Sequence, residues 1–148
     1  MPTSAYKHQR GAPLKENEIF KALGDETRLR ILNLFVSDRG HLCVCEMVDA
    51  LKIPQYQVSK NLVVLKHAGL LEVERQGTWA YYSFKKEPPQ NRLLITFLKQ
   101  FCAGGLFEQD RQNLEVRLSV REAGKCVVGF VSEKKLLNLY SARKVEPV

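Results

Sequence analysis

Little in this chain points to secretion, catalysis or a membrane. It holds four cysteines in 148 residues, Cys43, Cys45, Cys102 and Cys126, too few to staple a small secreted fold. Two of them stand one residue apart, which is poor geometry for a disulfide. Residues 1–15 are polar and basic and lack the apolar core of a signal peptide. The most apolar stretch, residues 93–98 with Thr96 inside it, is far too short to span a bilayer. The expectation is a cytoplasmic protein with no membrane partner. There is no phosphate loop, dinucleotide fingerprint or Ser-His-Asp arrangement, so no enzyme is expected. No internal repeat or low-complexity tract is visible. His8, His41 and His67 are isolated, without the paired spacing of a metal site. Surface roles suit them, with His41 at most an outer ligand to the cysteines beside it.

The composition describes one ordinary globular domain, with 45% hydrophobic and 26% charged residues. A net charge of +7 favours a polyanionic partner without choosing between nucleic acid and an anionic surface. The excess is also spread out, at +2 over residues 1–40, +1 over 41–85 and +4 over 86–148. A nucleic-acid reading must therefore rest on a motif.

Residues 1–14, with Pro2, Ser4, Gly11 and Pro13, read as a flexible arm. Ile19, Phe20 and Leu23 then take helical spacing. Asp25 is a good N-cap for a second helix through about residue 36, on an apolar stripe of Leu29, Leu32 and Phe35 or Val36. A third, short helix is expected over 43–51, broken by Lys52-Ile53-Pro54 because proline disfavours helix at the residue before it. A fourth covers 55–67, with Val58, Leu62 and Leu65 inward and Ala68-Gly69 as its stop. Two helices across a tight turn, the second polar on its outer face, form a helix-turn-helix pattern. Residues 70–75 and 80–84 alternate as strands around Gln76-Gly77-Thr78, a β-hairpin wing.

After Pro88-Pro89 a helix over 90–102 carries Leu93, Leu94, Phe97, Leu98 and Phe101, a seam broader than one small domain needs and so a dimer surface as well. The fold class is mainly α with a small β-hairpin, a homodimeric winged helix-turn-helix. Residues 15–105 form the DNA-binding and dimerisation domain. Residues 106–148 form an extension made of a helix over 106–122, where Leu114, Val116, Leu118 and Val120 also alternate as in a strand, a short strand over 126–131 and a basic tail.

On the second helix of the motif, Gln55, Gln57, Ser59, Lys60 and Asn61 cluster where a recognition helix meets base edges. Gln and Asn suit adenine, and Lys60 suits guanine or a phosphate. Arg75 and Thr78 on the wing are placed for the adjacent minor groove or backbone. The plain alternative is a solvated helix face. Cys43 and Cys45 form a compact soft-ligand pair just ahead of this helix, against the plain alternative of two small buried apolar residues. On a regular helix, positions i and i+2 lie roughly 200° apart, so the pair can share one ion only at a distorted helix start.

The blocks Phe20-Lys-Ala-Leu-Gly-Asp-Glu-Thr-Arg-Leu-Arg-Ile-Leu32, Leu42-Cys-Val-Cys-Glu46, Val58-Ser-Lys-Asn-Leu62, Gly69-Leu-Leu71 and Gln76-Gly-Thr-Trp79 with Tyr81-Tyr82 resemble, in order and spacing, the ArsR family of arsenic- and metal-responsive repressors. The resemblance implies a homodimer that binds an imperfect palindromic operator and releases it when a thiophilic ion binds. That ion would be trivalent arsenic or antimony, held by three ligands that include Cys43 and Cys45. The sequence departs from the family at three points. Val48 stands where relatives with three clustered thiols have the third, the N-terminal arm has no cysteine, and residues 90–101 lack the Asp and His of zinc sensors. The third donor is left open among Cys102, Cys126, a water and a small thiol. The alternative within the same fold is a thiol redox or sulfide sensor that links Cys102 to Cys43 or Cys45.

Overall fold

The computed structural model describes residues 15–37 and 40–145; the arm expected over 1–14 lies outside the described residues. Helix α1 (Lys15–Leu23) opens with Glu16 and Glu18 and carries Lys21 in its last turn, so both ends complement the helix dipole. Asp25 caps α2 (Glu26–Asn33) by accepting the Arg28 amide at 3.1 Å. The Arg28 side chain ties α1 to α2, donating from Nε to the Ala22 carbonyl at 2.6 Å.

Strand β1 (His41–Cys43) leads directly into α3 (Val44–Leu51), which ends at Lys52 in the left-handed region, φ 54°. Pro54 then starts α4 (Gln55–His67). Strands β2 (Leu71–Gln76) and β3 (Trp79–Phe84) form the hairpin, and the antiparallel sheet runs in the order β1-β3-β2. Gly77, at φ 61°, supplies the backbone conformation that the two-residue turn requires. This is a winged helix-turn-helix fold. The expected two-stranded hairpin has become a three-stranded sheet because residues 41–43 pair with β3 before the helix begins.

The main core gathers Ala22, Ile31, Leu32, Leu42, Met47, Leu51, Val58, Leu62, Leu65, Leu70, Leu71 and Phe84, contributed by every element so far. Burying each of the larger side chains contributes about 1.5–3 kcal/mol. Helix α5 (Pro89–Phe101) follows. Its buried Asn91 donates to the Gly69 and Lys85 carbonyls at 3.0 and 2.8 Å, which fixes the helix against the base of the wing.

Helix α6 (Gly105–Leu118) confirms the expected helix after residue 105 and packs on α2 and α3. It is anchored by the ion pair of Arg30 with buried Asp110 at 2.8 Å and by Asn113 Nδ2 on the Ala50 carbonyl at 3.0 Å. One expectation for the extension is corrected. Residues 126–131 form no strand, because side chains and not a neighbouring strand satisfy their backbone. The Cys126 amide donates to Tyr81 Oη and the Gly129 carbonyl accepts from Arg117. The basic tail is a helix, α7 (Glu133–Val145). Ser132 Oγ accepts the Lys135 amide at 3.2 Å as its cap, and Leu136 is buried. No helix among the described residues is long and apolar enough to cross a membrane.

Candidate metal centre and nucleic-acid interface

Cys43 occupies the N-cap of α3 with extended dihedrals, φ −90° and ψ 163°. That half-strand, half-helix position resolves the angular problem of the Cys-X-Cys pair. The Cys43 side chain points as from a strand end and Cys45 as from the first helical turn, bringing the two Sγ atoms to 3.0 Å. Glu46 holds the cap by accepting the Cys43 amide at 3.0 Å, which is half of a capping box.

The third sulfur is Cys126, 3.5 Å from Cys45 Sγ. The three ligand atoms lie within 4.8 Å of one another, all on buried residues. All four cysteines are free, and 3.0 Å is well beyond the S–S bond of about 2.05 Å. Cys102, the other candidate third donor, packs in the main core with Leu98 and Leu114, whereas Cys43, Cys45, Cys126 and Tyr81 form a separate cluster. Within the chain the structure therefore brings Cys126 to the pair and leaves Cys102 in the main core.

Two arginines enclose this cluster. Arg117, fully buried on α6, pairs from Nε with Asp49 at 2.6 Å. Its Nη2 donates to the Gly129 carbonyl at 2.7 Å and lies 3.5 Å from Cys45 Sγ and 3.8 Å from Cys126 Sγ. Arg121, just beyond α6, binds both carboxylate oxygens of buried Glu46 at 2.6 Å and also the His41 carbonyl at 2.7 Å. Arg117 and Arg121 are four residues apart and face Asp49 and Glu46, three apart on α3. This complementary helical spacing is a signal that the sequence reading passed over.

The sulfurs share their protons unequally. Hydrogen bonds from Cys43 and then Cys45, aided by the Gly129 backbone and Arg117, hold the Cys126 thiol far below the usual range. The same hydrogen bonding pushes Cys45 up to about 12 and raises Cys43 still further. Burial works against charge on Arg117, but the bond to Asp49 and the fields of Cys45 and Cys126 outweigh it. His41 stands beside the cluster with its ring edge-on to Tyr81, centroids 4.5 Å apart, and it is no part of the three-sulfur group.

On α4, Gln55 and Lys60 are exposed and Gln57 and Ser59 partly so. Arg75 and Thr78 are exposed on the wing. Asn61 is the exception among the expected reading residues. It is 5% exposed, accepts from Arg28 Nη1 at 3.0 Å and donates to the Gln57 carbonyl at 2.8 Å. It is corrected to a structural residue, because the Arg28 guanidinium that ties α1 to α2 needs an acceptor from α4. Tyr56, 66% exposed between the two glutamines, shares the outer surface and was not singled out from the sequence.

Comparison with known proteins supplies the family. The model for bacterial regulatory proteins of the arsR family matches residues 25–73. An uncharacterised HTH-type transcriptional regulator of Methanocaldococcus jannaschii is 48% identical over 68 residues, covering 46% of this chain and 75% of the relative. The chain belongs to the arsR family. Within it, the arsenic resistance transcriptional regulator ArsR1 of Pseudomonas putida is 43% identical over 72 residues, 49% of this chain and 56% of that protein. The chain thus spans little more than half of that arsenic regulator's length. Among solved structures, reduced HlyU from Vibrio cholerae superposes with a TM-score of 0.54 at 20% identity, covering 70% of this chain and all of that one, a likeness of fold. The arsR match of residues 25–73 includes Cys43 and Cys45 and stops short of Cys126, Arg117 and Arg121.

Proposed function

We propose that this arsR-family chain is a metalloid-responsive transcriptional repressor. Paired through its α5 faces, it binds operator DNA with α4 and the wing, and releases it when trivalent arsenic or antimony binds Cys43, Cys45 and Cys126. The observation that carries the reading is the convergence of three buried sulfurs at the N-cap of α3.

Soft thiolates suit a thiophilic ion, and three of them match the pyramidal coordination of a trivalent metalloid. A structural zinc site would ask for a fourth ligand. Metal–sulfur bonds of about 2.3 Å at angles of 90–110° place sulfurs ~3.3–3.8 Å apart. The observed 3.0 and 3.5 Å need only a small opening. The exchange balances without oxidation: arsenous acid, As(OH)3, and three cysteine thiols give the trithiolate and three waters.

Helix α3 is joined to α4 by three residues, so a change at the α3 cap reaches the reading helix through a short, rigid turn. Dimerisation is supported by an apolar face that stays exposed among the described residues. Leu93, Phe97 and Phe101 are more than half exposed along α5, and Phe20 is 71% exposed on α1.

The test is anisotropy of the reduced protein on its upstream DNA, titrated with arsenite, antimonite, cadmium and zinc. Release by arsenite at about one equivalent per chain, with zinc inert, is the expected result. DNA binding that none of the ions disturbs would refute the metalloid reading.

A further inference from the structure

The sequence contains a single tryptophan, Trp79, at the end of the wing ladder, where it pairs with Gln76 across the Gly77–Thr78 tip. Its indole does not face outward from the wing. It packs against the cluster of Cys43, Cys45, Tyr81 and Cys126. It also lies so close to Gly129 that a Cβ there would meet Trp79 Cη2 at 3.2 Å. Gly129 has φ +71°, so a larger residue there would be strained in its backbone and would press on the indole.

Tyr81, two residues further along β3 and therefore on the same face, receives the Cys126 amide on its Oη at 3.1 Å. Tyr81 also sits opposite Cys43 in the sheet register. Segment 126–129 is thus held on one side by the wing strand, through Trp79 and Tyr81, and on the other by Arg117 through the Gly129 carbonyl.

We propose that Trp79 is a positioning residue that couples the Cys126 segment to the wing: metalloid binding spreads the Cys43, Cys45 and Cys126 sulfurs slightly, and the indole seated on Gly129 carries the shift to Arg75 and Thr78. The coupling rests on the metalloid reading above and deepens it. It gives the site a second route to DNA beside the α3–α4 turn. The ladder leaves only Gly77 and Thr78 between Trp79 and its partner Gln76, which puts the indole directly at the base of the tip.

The test uses the full reduced chain, with arsenite as the probe and three readouts: bound arsenic per chain, Trp79 emission, and DNA affinity with and without arsenite. In the wild type, the emission should shift in step with arsenic uptake, saturating at the same equivalent. DNA affinity should fall by an allosteric factor in the range of about 5–150-fold. In Trp79→Phe and Trp79→Ala, arsenic uptake should persist while that factor falls at least several-fold, most in the alanine variant. Because the factor is a ratio within each variant, a loss of DNA contact common to the arsenic-free and arsenic-bound states cancels from it.

Arsenic uptake and DNA release with unchanged Trp79 emission would overturn the coupling and leave the repressor reading standing. So would an unaltered factor in both variants. A chain that takes up no arsenic would overturn both readings together.

Discussion

Replacing Arg117 with methionine isolates what holds the thiol cluster together. The side chain is fully buried and its Asp49 partner is 13% exposed, so the 2.6 Å pair is screened little by water. Removing one partner of a buried ion pair costs about 3–5 kcal/mol, chiefly by stranding the other charge. Methionine keeps most of the volume, so a cavity contributes little. Burial already raises the Asp49 carboxyl above its ordinary value, and the Arg117 bond opposes that rise. Without the guanidinium, the carboxyl rises further in the folded state than in the unfolded chain. An acid whose folded pKa exceeds its unfolded value binds more protons when folded, so the variant loses stability as pH rises through that interval and regains it as pH falls.

Urea unfolding at pH 5 and pH 8 should therefore show Arg117→Met less stable by about 3–5 kcal/mol at pH 8, with a smaller loss at pH 5. The Asp49→Asn, Arg117→Met double variant should recover part of the loss and flatten the pH dependence. A loss below about 1 kcal/mol that is equal at both pH values would refute the argument, since an exposed pair behaves in that way.

Cys126→Ser should still bind operator DNA, while the arsenite needed for release rises at least tenfold; Cys102→Ser should respond to arsenite as the wild type does, and anisotropy titrations compare the two. Leu93→Asp with Phe97→Asp should convert a dimer to monomers in sedimentation equilibrium and weaken operator binding, because charges would replace two exposed apolar residues of α5. Asn61→Ala should lower stability by about 1–3 kcal/mol in urea melts by leaving the Arg28 guanidinium short of an acceptor, whereas Gln55→Ala should leave stability within about 0.5 kcal/mol and act on DNA affinity alone.

The elements of the motif were readable because their signals are local. Asp25 announces its own cap, Pro54 and Gly69 bound α4, and the strands flanking Gly77 make the wing. The same locality explains the misses. Asn61 has the composition of a reading residue, and only the approach of Arg28 from 33 positions earlier turns it inward. Residues 41–43 look like a helix approach until β3 arrives to pair with them. Helix α7 did carry a local signal, Ser132 three residues ahead of Lys135. It was hidden by the cationic composition around it.

By itself the sequence determined the winged helix-turn-helix, the family blocks and the Cys43–Cys45 pair, all consequences of apolar periodicity, turn chemistry and spacing within a few residues. The tertiary structure decided which sulfur completes the group. Cys126 lies 81 positions from Cys45, and no periodicity or propensity reaches across that distance. What brings it there is the packing of α6 on α3, where Arg117 and Arg121 meet Asp49 and Glu46 and where Tyr81 and Arg117 take up the backbone groups of segment 126–129. Buried charges and backbone groups must find partners, and here those partners are supplied by elements that are remote in the chain.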